Sequence, residues 1–153
     1  MKKIIIILSL LIAVKLSAQQ KILIPMDLRQ ADHLKAYGIV FNALKESNTA
    51  DWLLNYRGGS FMLDENENLK MKMRVKGVSF ETLSPQEYVD IYSVVQSEDR
   101  NMEVVRLEKA PEIGVYVTPG HEPWDDAVTL ALEYAEVDYD KLWVEEILRG
   151  DLG

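Results

Sequence analysis

The sequence predicts an α/β protein: a mainly parallel sheet with flanking helices, assembled from two βαβ-type units. Two observations lead there. Residues 21–57 and 112–144 each read as strand, helix, strand, and the second strand of each carries a tryptophan, Trp52 in one and Trp143 in the other. The opening strand, Lys21-Ile-Leu-Ile-Pro-Met26, is apolar on both faces, as strands covered on both sides are.

The elements follow in order. Lys21 to Met26 ends at Asp27. From Gln30 to Glu46 the positions Leu34, Tyr37, Gly38, Phe41 and Leu44 recur at three and four, the spacing of an amphipathic helix. Asp51 to Tyr56 (DWLLNY) is a strand closed by Arg57-Gly58-Gly59-Ser60, and together these make a βαβ unit with a right-handed crossover. Phe61-Met62-Leu63 is strand-like. Leu69 to Val75 (LKMKMRV) alternates apolar and basic residues and reads as a half-buried edge strand. Val78 to Thr82 is a further strand candidate. Ser84-Pro85-Gln86-Glu87 has the marks of a helix start, with Ser as N-cap, Pro at the first position and Glu at the third. That helix runs to about Ser97. Met102 to Leu107 is a strand. Glu112 to Thr118, Pro123 to Glu136 and Tyr139 to Val144 then repeat strand, helix, strand.

Ahead of these elements lies a different kind of segment. Met1-Lys2-Lys3 is positive, Ile4 to Val14 is apolar except for Ser9, and Ser17-Ala18 offers small residues for cleavage before Gln19-Gln20. This is the layout of a secretory signal peptide cut after Ala18, and the apolar run is short for a membrane span. The expected organisation is therefore a signal peptide at 1–18, a first α/β unit with an irregular middle at 19–111, and at 112–153 the start of a second unit that a longer chain completes. The expected location is periplasmic or secreted, with no membrane attachment after cleavage.

Charge and composition exclude several functions. The 153 residues carry a net charge of −8, and losing the three lysines of residues 1–18 leaves 14 basic against 25 acidic residues, a net of −11. Such a surface repels phosphate backbones, so nucleic acid is not an expected partner. There is no cysteine, hence no disulfide, no thiolate nucleophile and no Cys-ligated zinc. Export without disulfides fits a bacterial periplasm. No cofactor and no metal site is expected, and the sequence does not fix an oligomeric state.

The candidate binding residues cluster at predicted strand ends, where open α/β sheets bind ligands. The turn Arg57-Gly58-Gly59-Ser60 has glycine amides and a guanidinium that can hold an anion. It can equally be a tight turn that needs φ > 0. No base stands near Ser60 in sequence, and the G-x-S-x-G nucleophile pattern is absent. Tyr116 to Val128 (YVTPGHEPWDDAV) joins strand to helix through Gly120 and His121, one of two histidines. Its Asp125 and Asp126 favour the positive end of the following helix. With Glu122 they repel a phosphate, so a small neutral or cationic ligand is the chemistry this junction suits; self-capping of the helix is the alternative. Asp27 ends the first strand at the same predicted sheet end, near His33. The expected ligand-binding set is Asp27, Arg57, Gly58, Gly59, Ser60, Gly120, His121 and Asp125. No catalytic residue is assigned.

The strings KILIPMD, HLKAYGI, WLLNYRGGSF, RLEKAPEIGVYVTPG, PWDDAVTLALEYAEVDYDKLW and EEIL resemble the N-terminal region of exported Bacteroidota proteins commonly labelled asparagine synthetase B. The resemblance implies a signal peptide, a chain that continues well beyond this length, and a flavodoxin-like (class I amidotransferase-like) fold. It leaves three functional readings: an exported domain of a longer amidotransferase-like protein, a binding or interaction module without catalysis, or a hydrolase or amidotransferase whose nucleophile lies beyond residue 153. The labelled activity does not follow for this chain. Glutamine-dependent asparagine synthetases use an N-terminal cysteine, which is missing, and Arg57-Gly58-Gly59-Ser60-Phe61 shares only its Gly-Gly pair with their ATP-pyrophosphate loop.

Overall fold

A computed structural model describes residues 20–117, 120 and 126–150. The first unit is β1 (Lys21–Ile24), α1 (His33–Lys45), β2 (Ala50–Leu54), β3 (Ser60–Asp64), α2 (Glu67–Lys76), β4 (Glu81–Leu83), α3 (Pro85–Val95) and β5 (Glu103–Leu107). The second is β6 (Gly114–Tyr116), α4 (Ala127–Ala135), β7 (Asp140–Leu142) and α5 (Val144–Arg149).

The main sheet runs β4-β1-β3-β2-β5, and all its neighbouring strands are antiparallel. This overturns the expected mainly parallel, flavodoxin-like sheet. β1 and β2 do share a direction and are joined by α1, as the βαβ reading requires. But β3 lies between them, pairing Ile24 with Phe61 on one side and Trp52 with Phe61 on the other. The order β1–α1–β2–β3–α2–β4 with the sheet order 4-1-3-2 is the split βαβ, ferredoxin-like arrangement. β5 extends it beyond β2.

The two apolar faces of β1 have a different cause from the one expected. Ile22 and Ile24 join Phe61 and Leu63 of β3 beneath α1 and α2, which contribute Ala36, Ile39, Val40, Leu69 and Met73. Leu23, Met62, Leu53 and Leu83 point the other way and meet Val95, Tyr88 and Ile91 of α3. An antiparallel sheet buried on both faces leaves the same signature as a parallel one, because periodicity reports burial and not strand direction.

Leu69 to Val75 is the second correction: it is helix α2, not an edge strand. Leu69 and Met73 are buried four residues apart, while Met71 and Val75 stand 56% and 79% exposed. Asn66 caps the helix start by accepting from the amides of Asn68 and Leu69, and Gly77 ends it at φ +70°. Those two signals outweigh a period-two pattern that matched only by chance. Around α1 the buried stripe is Ala36, Ile39, Val40, Ala43 and Leu44, rotated from the expected one; Leu34 and Tyr37 are about half exposed. The capping box at Ser84–Glu87 is formed as the sequence predicts.

The second unit is a true parallel βαβ, with β6 and β7 paired as Gly114–Asp140, Val115–Lys141 and Tyr116–Leu142. It docks on α1 through the end of α4. Gly38 makes this possible: a Cβ there would lie 1.7 Å from the Ala135 carbonyl oxygen. No described helix is long and apolar enough to cross a membrane.

Candidate functional site

The ends of β1 and β2 and the starts of β3 and β4 meet at one end of the main sheet, and three loops converge there. The β2–β3 turn is tight. Asn55 and Arg57 take φ +59° and +46°, and Gly58 and Gly59 follow at +82° and +89°. A Cβ on Gly58 would sit 2.3 Å from the Met26 carbonyl oxygen, so only glycine lets the turn press against the β1–α1 loop. The Met26 amide donates to the Arg57 carbonyl at 3.1 Å and locks the two loops together.

Arg57 lies at the centre. Its Nε donates to Asp27 Oδ2 at 2.8 Å, and its Nη1 to both oxygens of Glu81 at 2.9 and 3.0 Å. Burial alone would lower the guanidinium's pKa, but the hydrogen bonds to Asp27 and Glu81 outweigh it and leave it above its ordinary value. Asp27 is held below the usual carboxylate range by the Arg57 hydrogen bond and then by the Arg29 amide. Gln30 stitches the neighbouring strands, donating to the carbonyls of Pro25 and Ser79 and accepting from the Ser79 amide. His33 Nε2 lies 3.2 Å from the Met26 carbonyl.

Five of the sequence-derived residues therefore meet here: Asp27, Arg57, Gly58, Gly59 and Ser60. Their arrangement favours holding the protein's own loops. One guanidinium faces two carboxylates, with the Arg29 charge also acting on Asp27, so the cluster offers an anion no net positive charge. The amides of Gly59 and Ser60 donate to the Tyr56 carbonyl. The Ser60 hydroxyl is buried and donates to the Arg57 carbonyl, so it is no nucleophile. Among the described residues, Arg57 Nη2 is buried without a hydrogen-bond partner. Gly120 sits at φ +82°, and no described residue lies within 4 Å of its Cβ position. His121 and Asp125 lie outside the described residues, as do residues 118–119 and 122–124. Asp126, expected in the first turn of α4, is instead its N-cap and accepts from the amides of Val128 and Thr129.

Two polar clusters escaped the sequence reading. Asp51 is 7% exposed in β2. It accepts from Arg106 Nη1 at 2.8 Å and from the Tyr92 hydroxyl, and Arg106 also reaches Thr49. Burial first, and then the hydrogen bond to Asp51, push the Tyr92 hydroxyl well above its ordinary pKa. The available signal was an acid inside the apolar run Ala50–Leu54 and a base inside Glu103–Leu107, since a buried charge calls for a partner. The second cluster fastens the two units. Glu136, at φ +58°, pairs with Lys35 at 3.0 Å and with Lys76, and its carbonyl accepts from Asn42 Nδ2 at 2.8 Å. Asp138 pairs with Lys45. A cleft of about 380 Å³ opens beside this contact between α1 and α2, lined by Lys72, Lys76, Glu46 and Glu136. Its charges are already matched, Lys72 with Glu46 and Lys76 with Glu136.

Among the described residues no three of His, Asp and Glu converge to hold a metal ion. The fold and its clusters define an α/β protein with a split βαβ main sheet and a docked parallel βαβ unit. No protein-family model matches the chain, and no curated protein or solved structure matches it either.

Proposed function

We propose that this chain is an exported domain forming the N-terminal part of a longer, amidotransferase-like protein of the kind labelled asparagine synthetase B. On this reading it is freed into the periplasm by cleavage after Ala18. The main sheet is a scaffold, and the second unit is the platform on which the continuing chain folds.

The observation that carries the reading is the incompleteness of the second unit. Its sheet has two parallel strands, whereas parallel sheets are ordinarily larger and covered on both faces. Val128, Leu130 and Tyr134 of α4, with Val144, Ile147 and Leu148 of α5, remain 41–81% exposed. So many apolar side chains in one small unit mark a surface meant to be covered. A scaffolding role for the main sheet is supported by its internal ion pairs, Lys21 with Asp64, Glu81 with Arg57 and Asp51 with Arg106.

Two measurements test this. Reading the gene past the Gly153 codon should reveal further α/β sequence, and a stop codon there overturns the proposal. N-terminal sequencing of the protein from a periplasmic extract should begin at Gln19; an intact Met1 overturns the export reading. A cysteine or serine at a later strand–helix elbow, with a downstream histidine, would place catalysis in the continuing part.

A further inference from the structure

We infer that β6 is an interior strand of the completed sheet: its free edge receives the next parallel strand of the continuing polypeptide, and β7 remains the outer edge. This rests on the continuation proposed above and names where it attaches.

The pairing shows which backbone groups are free. The Val117 amide donates to Leu142 at 3.0 Å, and the Asp140 amide to Ile113 at 2.7 Å. Residues alternate sides along a strand. Ile113, Val115 and Val117 therefore face β7, and Gly114 and Tyr116 turn their N–H and C=O groups outward. On β7 the outward-facing residue is Lys141. The two edges differ in chemistry. Ile113 to Val117 contains no charged residue, whereas β7 is Asp140-Lys141-Leu142. Edge strands are guarded by charge, lysine above all, and interior parallel strands read as uncharged runs. By that rule β7 is built to end a sheet and β6 to continue one.

The occupant follows from the same geometry. α5 begins two residues after β7 and exposes Val144, Ile147 and Leu148, which makes it the start of a crossover helix whose apolar face lacks a sheet. A crossover between parallel strands takes a dozen or more residues. Counted from Leu142, the next strand falls beyond Gly153. A second copy fits less well, because each chain cut after Ala18 carries 14 basic and 25 acidic residues, a net of −11, and two copies meeting at β6 would repel.

The test uses the full-length gene product. Amide exchange at Gly114 and Tyr116 should be slowed by about a hundredfold or more relative to unprotected amides. Tyr116→Pro removes one outward N–H and should lower the Tm by about 4 °C or more relative to Tyr116→Ala, which keeps it. Lys141→Pro should leave the Tm unchanged. Fast exchange at Gly114 and Tyr116 overturns the inference. So does the reverse pattern, a costly Lys141→Pro beside a silent Tyr116→Pro. Protection that vanishes on dilution to monomer assigns the edge to a second copy and also overturns it. A gene that stops at Gly153 removes the underlying proposal instead, and is seen before any variant is made.

Discussion

Replacing Gly38 with alanine separates intrinsic helix preference from docking of the second unit. Gly38 lies mid-helix in α1, where helix propensity alone favours alanine by about 1 kcal/mol. The packing opposes it. The new Cβ would fall 1.7 Å from the Ala135 carbonyl oxygen and 2.8 Å from its carbon. Ordinary contact needs about 3.2–3.5 Å, so the end of α4 must retreat by about 1.5 Å. That end is backbone and cannot swing aside as a side chain would. The retreat strains the contact that buries Ala135 and Val137, and lengthens the Asn42 bond to Glu136. Overpacking of this kind costs about 1–3 kcal/mol, and a lost hydrogen bond about 1 more. After the helix gain, the net destabilisation is about 1–3 kcal/mol, or roughly 3–10 °C in Tm. Urea unfolding followed by circular dichroism measures it, and proteolysis at the 108–113 connection should quicken. A Gly38→Ala protein as stable as the parent, or more so, would refute the docking of α4 on α1.

Alanine substitutions along α2 distinguish helix from strand: Leu69→Ala and Met73→Ala should each cost about 2–4 kcal/mol, while Met71→Ala and Val75→Ala stay within about 0.5 kcal/mol in denaturant titrations. An alternating edge strand would make all four costly. Tyr92→Phe leaves Asp51 short of a donor and should cost about 1–2 kcal/mol by chemical unfolding. Because the folded Tyr92 hydroxyl is raised above its unfolded value of about 10, its contribution is complete below pH 10 and is lost as pH climbs beyond it. Unfolding curves across that range should lose this slope in the Phe variant. The Glu136 carboxylate is held below its ordinary value by the hydrogen bonds from Lys76 and then Lys35. Its share of docking is thus present above about pH 4.5 and is lost as pH falls through the lowered folded value. Amide protection in α4 should drop in acid before that of β1 and β3, and Glu136→Gln should remove the difference.

The α/β class and several single elements were legible because they rest on local signals; the sheet's architecture was not. Ser84-Pro85-Gln86-Glu87 specifies a capping box within four residues, and α3 starts there. The β1–α1–β2 and β6–α4–β7 segments announce themselves by change of period. What stayed hidden was non-local. Nothing within Phe61-Met62-Leu63 states that this strand inserts between β1 and β2, and its insertion turns a parallel pair into an antiparallel sheet. Nor does β1 disclose that its second apolar face is covered by α3, some sixty residues on, rather than by a second crossover helix. In α2 the alternation of Leu69, Met71, Met73 and Val75 matched a strand in hydropathy. The decisive residues were Asn66 and Gly77, the caps on either side, which carry no weight in a hydropathy count.

The Arg57 turn shows why a site is harder to read than an element. Two glycines beside an arginine meet every local requirement for an anion cradle, and the strand end supplies the right position. What decides its chemistry is the charge brought to it from elsewhere. Asp27 arrives from thirty residues before and Glu81 from twenty-four after, at charge-assisted hydrogen-bond distances. A cluster whose two carboxylates balance its positive charges offers an anion no net attraction, whatever its glycines offer. The glycines instead answer a steric demand, the approach of Gly58 to the Met26 carbonyl. The same residues thus serve to fix three loops at one end of the sheet. In the second unit Val128, Leu130 and Tyr134 of α4 and Val144, Ile147 and Leu148 of α5 are instead left exposed beside a two-stranded sheet.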